Sequence, residues 1–241
     1  GVDVVVAMGQ GGEARFEGAW GQINAPLQHG PMQLAEAHGV GGLGVFEPKE
    51  IGPVSVQEKN GVLDLVVEDE QEAASAAKKY LSYFQGTLSE WTAPDPLILR
   101  HVIPENRRRI YDVRELIAGL CDVGSVMELR RAYGPGMITA FVRIEGRPIG
   151  LIANDPMYLG GAIDDTGAQK AARFLQLCDA FGLPVLSLCD TPGFMVGPEI
   201  EERAQVRKVS RLFVVGANIS VPLFCVITRK GYGLGAQAMA G

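Results

Sequence analysis

The sequence predicts an α/β fold built on a parallel sheet with helical cover. Three observations predict it. PVLSLCD (184–190) and VPLFCVIT (221–228) are short, nearly all-apolar runs, as expected of strands covered on both faces. Helical periodicity precedes and separates them. A hairpin signal lies just upstream. Strands alternating with helices imply a parallel sheet packed beneath helices.

Taken in chain order, DVVVAM (3–8) reads as a strand, and the glycine-dense stretch from Gly9 to Gly44 yields no element. NGVLDLVVEDE (60–70) reads as a strand running into a helix start. EDEQEAASAAKKYLSYF (68–84) is a helix: it begins acidic, is rich in alanine and ends near Lys78 and Lys79. Residues 86–104 carry three prolines and no helical period, so they read as a linker between segments 1–85 and 105–241. ITAFVRI (138–144) and RPIGLIAN (147–154) flank Glu145-Gly146, a two-residue hairpin turn. In GAQKAARFLQLCDAFG (167–182), Ala171, Phe174, Leu175, Cys178 and Phe181 share one helical face, with Gly182 as the stop. EIEERAQVRKVSRLFVVGAN (199–218) reads as one helix, its acids in the first turn and its bases further on.

Composition removes several function classes. The chain has 241 residues, 47% hydrophobic and 21% charged, which suits a packed core and excludes a disordered chain. Net charge is −6, and the densest basic run is Arg107-Arg108-Arg109, so nucleic-acid binding is disfavoured. No run is long and apolar enough for a membrane span, and the first residues lack a basic signal-peptide start. Cys121, Cys178, Cys189 and Cys225 form no CxxC pair and read as free thiols in a reducing compartment, cytosol or mitochondrial matrix.

Familiar catalytic sets are missing. There is no HExxH, no GxSxG elbow and no GxxxxGK[ST] loop, and no metal site is expected. GVGGLG (39–44) is followed by VFEPKEIGP, whose prolines cannot open the helix that a dinucleotide fingerprint needs. Two segments remain. CDTPGF (189–194) turns at the carboxyl end of an apolar run, where open α/β sheets bind ligands, although an ordinary Pro-Gly turn reads the same way. TRKGYGLGAQAM (228–239) places Gly231, Gly233 and Gly235 before a helical run. Successive free amides at a helix start can hold an anionic oxygen, and a plain flexible turn is the other reading.

These same residues carry a family resemblance. KAARFLQLCDAFGLPVLSLCDTPGFMVGPEIE (170–201) and VPLFCVITRKGYGLGAQAMAG (221–241) closely resemble the carboxyl-terminal half of acyl-CoA carboxylase carboxyltransferases. So do YDVRELIAGLCDVGSVMEL (111–129) and YGPGMITAFVRIEGRPIGLIAND (133–155). Residues 42–84 resemble the end of the amino-terminal half, and residues 1–41 match poorly.

The resemblance implies an α/β crotonase-like ββα spiral, with parts of two halves present. Residues 1–85 would end the amino-terminal half, and residues 105–241 would begin the carboxyl-terminal one. It implies carboxyl transfer from carboxybiotin, borne on a carrier domain, to the α-carbon of an acyl-CoA. One backbone oxyanion hole would hold the thioester oxygen and another the biotin ureido oxygen. Biotin itself can take the α-proton, so no side-chain base is required.

By the family pattern counted from Lys230, the donor amides fall on Leu234 and Gly235, or on Gly235 and Ala236 after a one-residue shift. Leu234 stands where the family commonly has glycine. Gln237 occupies a position that influences acyl-chain choice. Asp190, Thr191, Pro192, Gly193 and Phe194, with Gly233, would line the cofactor cleft. The partners implied are biotin carboxylase, the biotin carboxyl carrier component and further copies of the chain, as a dimer or trimer of dimers. The isolated chain is expected to be inactive or weakly active, because it resembles only an internal piece. A biotin-dependent decarboxylase subunit and a non-catalytic assembly module are the alternatives. A hydratase of the same fold is disfavoured, because the matching segments lack a suitably placed glutamate pair.

Overall fold

The computed structural model describes strands over residues 5–10 and 13–18 and the whole of residues 52–241, with side chains from residue 52 onward. The glycine motif at 39–44 lies outside the described residues. Two compact units are present, Gly1–Lys79 and Tyr80–Gly241.

In the first unit, β1 (Val5–Gln10) pairs antiparallel with β2 (Glu13–Gly18) and parallel with β3 (Leu65–Val67). The first strand was legible as DVVVAM, and β2 was not. A single helical turn, α1 (Val54–Gln57), precedes β3. Helix α2 (Glu70–Ser82) starts on a reciprocal cap. The Asp69 carboxylate accepts from the Glu72 amide at 2.7 Å, and the Glu72 carboxylate accepts from the Glu68 amide at 2.8 Å.

The second unit is built on a five-stranded sheet in the order β4 (Met127–Leu129), β5 (Met137–Ile144), β6 (Arg147–Asn154), β7 (Val185–Thr191) and β8 (Leu223–Gly231). The predicted hairpin is β5–β6. Its turn residues both adopt left-handed backbone, Glu145 with φ 52° and Gly146 with φ 75°, as a two-residue hairpin loop requires. The Asp122 carboxylate accepts from both of their amides, at 3.0 and 2.7 Å. β6, β7 and β8 run parallel.

One face of the sheet packs Ile138, Ala140, Val142, Leu151, Ala153, Leu186 and Leu188 against α4 (Val113–Leu120). The other lies under α5 (Asp165–Ala180). There Phe141 is the centre of an aromatic cluster with Tyr80, Tyr83, Phe84 and Phe174. Arg143 is buried beside it, its guanidinium donating to the carbonyls of Ser82, Gly86 and Gly146 and lying over the Tyr83 ring.

Helix α5 ends as its glycine predicts. Gly182 has φ 67°, its amide donates to Asp179 O, and the Leu183 amide donates to Cys178 O at 2.9 Å. Phe181, expected on the buried face, is instead the C-cap and is 44% exposed, because the chain has already left the helical path there.

Three further expectations change. The segment 86–104 has more structure than its prolines suggested: a 3-10 turn (Pro96–Ile98) leads into α3 (Leu99–Val102), and Val102 joins the core. The single helix expected over 199–218 is two, α6 (Pro198–Glu202) and α7 (Gln205–Gly216), broken at Ala204 with φ 58°. Polar contacts flank the break. Arg203 pairs with the buried Asp165 carboxylate at 2.6 Å, and buried Gln205 donates to Ile163 O at 3.2 Å.

Finally, no element among the described residues covers both faces of β8. This strand ends the hydrogen-bonded strand order, and Phe224 and Ile227 are 69% and 61% exposed. All four cysteines are free, and no group of three or more metal-ligating side chains occurs among the described residues. No helix among them is long and apolar enough to cross a membrane.

Candidate active site

The two segments singled out in the sequence meet at the carboxyl ends of neighbouring parallel strands. CDTPGF continues β7, and GYGLGA leads from β8 into the final helix, α8 (Gly233–Ala240). Their backbones touch. A Cβ on Gly235 would stand 2.7 Å from Gly193 Cα, so glycine is the residue that permits this approach. The Tyr232 amide donates to Thr191 O at 3.2 Å and links the two turns again.

The β7 turn is held by its own groups. The Thr191 hydroxyl accepts from the Gly193 amide at 3.1 Å and contacts Gly193 O at 3.2 Å. Gly193 has φ 128°, open to glycine and strained for other residues. Ile163 donates to Gly193 O, and Met195 donates to Ile163 O. The Phe194 ring packs against Phe213.

Asp190 turns inward. Its carboxylate is 1% exposed and pairs with Arg229 Nε at 3.0 Å and Lys230 Nζ at 3.6 Å. Its amide donates to Asn154 Oδ1. Arg229 is fixed in turn by the Arg107 and Arg109 carbonyls and lies over the Tyr111 ring. The Tyr111 hydroxyl shares a hydrogen bond with Thr228, and burial pushes its pKa up to about 12. Lys230 Nζ also donates to Gly160 O at 2.6 Å. Thus Asp190 and Thr191 spend their polar groups on holding the turns, while exposed Pro192 and half-buried Gly193 and Phe194 front the site.

At the start of α8 the amides divide. Ala236 N–H closes the first helical turn onto Tyr232 O at 3.3 Å. The Leu234 and Gly235 amides lie in the first turn, where an α-helix supplies no internal carbonyl, and no backbone partner for them occurs among the described residues. Of the two donor pairs the sequence allowed, Leu234 with Gly235 is the one left available. Leu234 is 64% exposed. Exposed Gln237 follows three residues on, hence on the same helical face. No side-chain cue in the sequence pointed to Arg229, Tyr111, Asn154 or Gly160, which brace the site from distant segments.

A model of the carboxyl transferase domain matches residues 39–241. The chain belongs to the carboxyl transferase domain family. Among curated relatives, this carboxyl transferase domain chain is 38% identical over 191 residues to the uncharacterized carboxylase YngE of Bacillus subtilis, covering 76% of this chain and 37% of that protein. It is 36% identical over 201 residues to the propionyl-CoA carboxylase beta chain of Saccharopolyspora erythraea, with the same two coverages.

Among solved structures, a single-chain, multi-domain long-chain acyl-CoA carboxylase superposes with TM-score 0.83 and 60% identity, over 87% of this chain and 21% of that one. The transcarboxylase 12S hexamer with methylmalonyl-CoA bound superposes with TM-score 0.74 and 30% identity, over 87% and 42%. The fold is the α/β crotonase-like fold of these carboxyltransferases. This carboxyl transferase domain chain spans well under half the length of the curated relatives described.

Proposed function

We propose that this chain supplies part of a site that transfers a carboxyl group, carried by biotin, to the α-carbon of an acyl-CoA. The observation that carries the reading is the pair of uncommitted amides on Leu234 and Gly235 beside the Pro192–Gly193 turn. Loss of the α-proton places negative charge on the thioester oxygen. Two fixed N–H donors at a helix start stabilise that charge without reorganising.

The residues present suit the cofactor as well. No atom lies within 4 Å of where a Cβ on Gly233 would stand, so the approach to the helix start is open. Pro192, Gly193 and Gly233 would line the space for the biotin ring, and biotin when bound supplies the carboxyl group. Asp190, Arg229 and Lys230 act as positioning residues that keep the two turns in register.

The acyl group is read as a long chain. Support comes from the 60% identity to a long-chain acyl-CoA carboxylase and from the apolar rim that Tyr232 and Leu234, 56% and 64% exposed, give the helix start. Gln237, on the same face as Leu234, is placed to meet that chain. Residues 1–85 belong to the amino-terminal half of the spiral and residues 105–241 to the carboxyl-terminal half. Biotin carboxylase and a biotin carrier are the expected partners, in an oligomer of this chain or of a longer protein that contains it.

Titration of a long-chain acyl-CoA into the purified chain and into Leu234→Pro tests the reading. Proline removes one donor N–H and is tolerated in a first helical turn. Binding should weaken about 3- to 10-fold, the worth of one hydrogen bond, with the circular dichroism spectrum retained. Equal affinity in the two proteins, or no binding to the wild-type chain, overturns it.

A further inference from the structure

The segment that follows β6, residues 155–163, shares an edge of the sheet with the site. β6, β7 and β8 are parallel neighbours, so it leaves the sheet on the same side as the Asp190–Phe194 turn and the start of α8, where open α/β sheets take up ligands. It is fastened to that turn at several points. Gly161 packs onto Asp190 O, where any Cβ would collide. Ile163 forms a parallel bridge with Phe194, its amide donating to Gly193 O at 3.0 Å. From the end of β8, Lys230 Nζ donates to Gly160 O at 2.6 Å.

Three consecutive side chains of this segment, Met157, Tyr158 and Leu159, are 61%, 36% and 46% exposed. Their backbone is fixed. The Met157 amide donates to the Asp155 carboxylate at 2.9 Å and the Tyr158 amide to Asp155 O at 3.1 Å. A 3-10 turn (Leu159–Gly161) then closes, with the Gly161 amide on Tyr158 O and the Ala162 amide on Leu159 O. Leu159, Gly160 and Gly161 all have left-handed backbone, with φ 49°, 62° and 87°. Glycine adopts it freely, and a leucine does so only under strain. Leu159 therefore keeps a strained backbone and leaves nearly half of an apolar side chain in water, beside a ligand-binding edge. Strain of this kind gathers at ligand clamps.

Resting on the carboxyl-transfer reading, we propose that Met157, Tyr158 and Leu159 form a wall of the cleft that receives the acyl chain, and that Leu159 is a specificity-determining residue favouring a long one. A thioester oxygen held by the Leu234 and Gly235 amides sets the acyl carbons down near the Asp190–Phe194 turn. The apolar surface fastened to that turn is Met157 to Leu159.

The division of labour follows from the chemistry. Amides that meet the thioester bind every acyl-CoA alike, whereas an apolar wall meets only the carbons that reach it, and so reads chain length. Leu159 is the member of the wall next to the Gly160–Lys230 and Gly161–Asp190 contacts. A side chain on so fixed a backbone meets the ligand with little ordering left to do.

The test is titration of acetyl-CoA and palmitoyl-CoA into the purified chain, Leu159→Asn and Leu159→Met, with melting temperatures measured in parallel. Asparagine tolerates left-handed backbone and is polar, and methionine keeps the apolar bulk. Leu159→Asn should melt no lower than wild type and bind palmitoyl-CoA about 5- to 10-fold more weakly, the worth of burying half a leucine side chain. Its affinity for acetyl-CoA should be unchanged, and Leu159→Met should bind palmitoyl-CoA as wild type does. Leu159→Gly, which relieves the backbone, repeats the comparison where asparagine is not accommodated. Unchanged palmitoyl-CoA affinity, an equal loss for both esters, or a lower melting temperature in both Leu159→Asn and Leu159→Gly overturns this inference alone. A wild-type chain that binds neither ester overturns the carboxyl-transfer reading and this inference with it.

Discussion

Lys170 lies on the inner face of α5, 1% exposed, with no hydrogen-bond partner for Nζ among the described residues. The charges facing it are Glu128 on β4, Arg114 on α4, Arg130 just beyond β4 and Asp155 just beyond β6. Arg114 already binds both acids, forking Glu128 at 2.9 and 2.7 Å and reaching Asp155 at 2.8 Å. Burial is the main cause that brings the Lys170 pKa from 10.5 down to about 7.

Between those two pH values the unfolded chain carries a proton on this amine that the folded chain lacks. Unfolding therefore takes up a proton, and stability rises with pH by about 1.4 kcal/mol per unit from pH 7 towards 10.5. Below pH 7 the penalty is constant, at about 5 kcal/mol. Lys170→Met keeps the unbranched chain and removes the titrating group. It should stabilise the protein by about 4 kcal/mol at pH 7 and by about 2 kcal/mol at pH 9. Urea unfolding of both proteins at pH 7, 8 and 9 measures the difference, in which all other titrating groups cancel. A difference independent of pH, or a variant less stable at pH 7, would show that the folded protein holds this amine charged and paired, and the reasoning would fail.

Two further predictions concern packing and backbone. Phe141 is fully buried within 5.1–5.5 Å of four other rings, so Phe141→Ala should lower the unfolding free energy by about 3–5 kcal/mol, read from the denaturant midpoint. A loss under about 1 kcal/mol would mean that the cluster collapses to fill the void. Ala204 is exposed at φ 58°, a conformation that glycine adopts freely, so Ala204→Gly should raise stability by about 0.5 kcal/mol. A lower melting temperature for that variant would place Ala204 in ordinary helical backbone.

Local chemistry made some of this legible in advance. Glu145-Gly146 between alternating apolar runs allows little besides a hairpin, and Gly182 after an amphipathic stretch allows little besides a helix stop. The apolar runs at 184–190 and 221–228 gave the strand type. Exposure was a different matter: Phe224 and Ile227 read as buried because an apolar run reports what a residue favours, not which of the described residues lie against it.

The break at Ala204 was hidden for a related reason. Helical spacing continues across it, and the ion pair of Arg203 beside the break is with Asp165, nearly forty residues earlier and out of reach of local periodicity. At the site, the glycines and the Asp190–Phe194 turn were visible as motifs. That the Ala236 amide is spent on Tyr232 O while those of Leu234 and Gly235 are not was invisible, because it depends on the residue at which α8 begins. The burial of Arg143 and Lys170 is a product of folding, and residue spacing along the chain carries no trace of it.

The contact between Gly193 and Gly235 has a consequence for how such a protein can vary. With bare main chain on both sides, there is no side chain to shrink at one position when the other enlarges. A methyl group on Gly235 would press on the Gly193 backbone and has to be absorbed by moving a strand end, whereas one on Gly193 would meet nothing nearer than Tyr232 O at 3.9 Å and is opposed by its φ of 128°. Each position thus asks for glycine for its own reason, and substitution adjusts the cleft more readily from its rim, at residues such as Leu234 and Gln237.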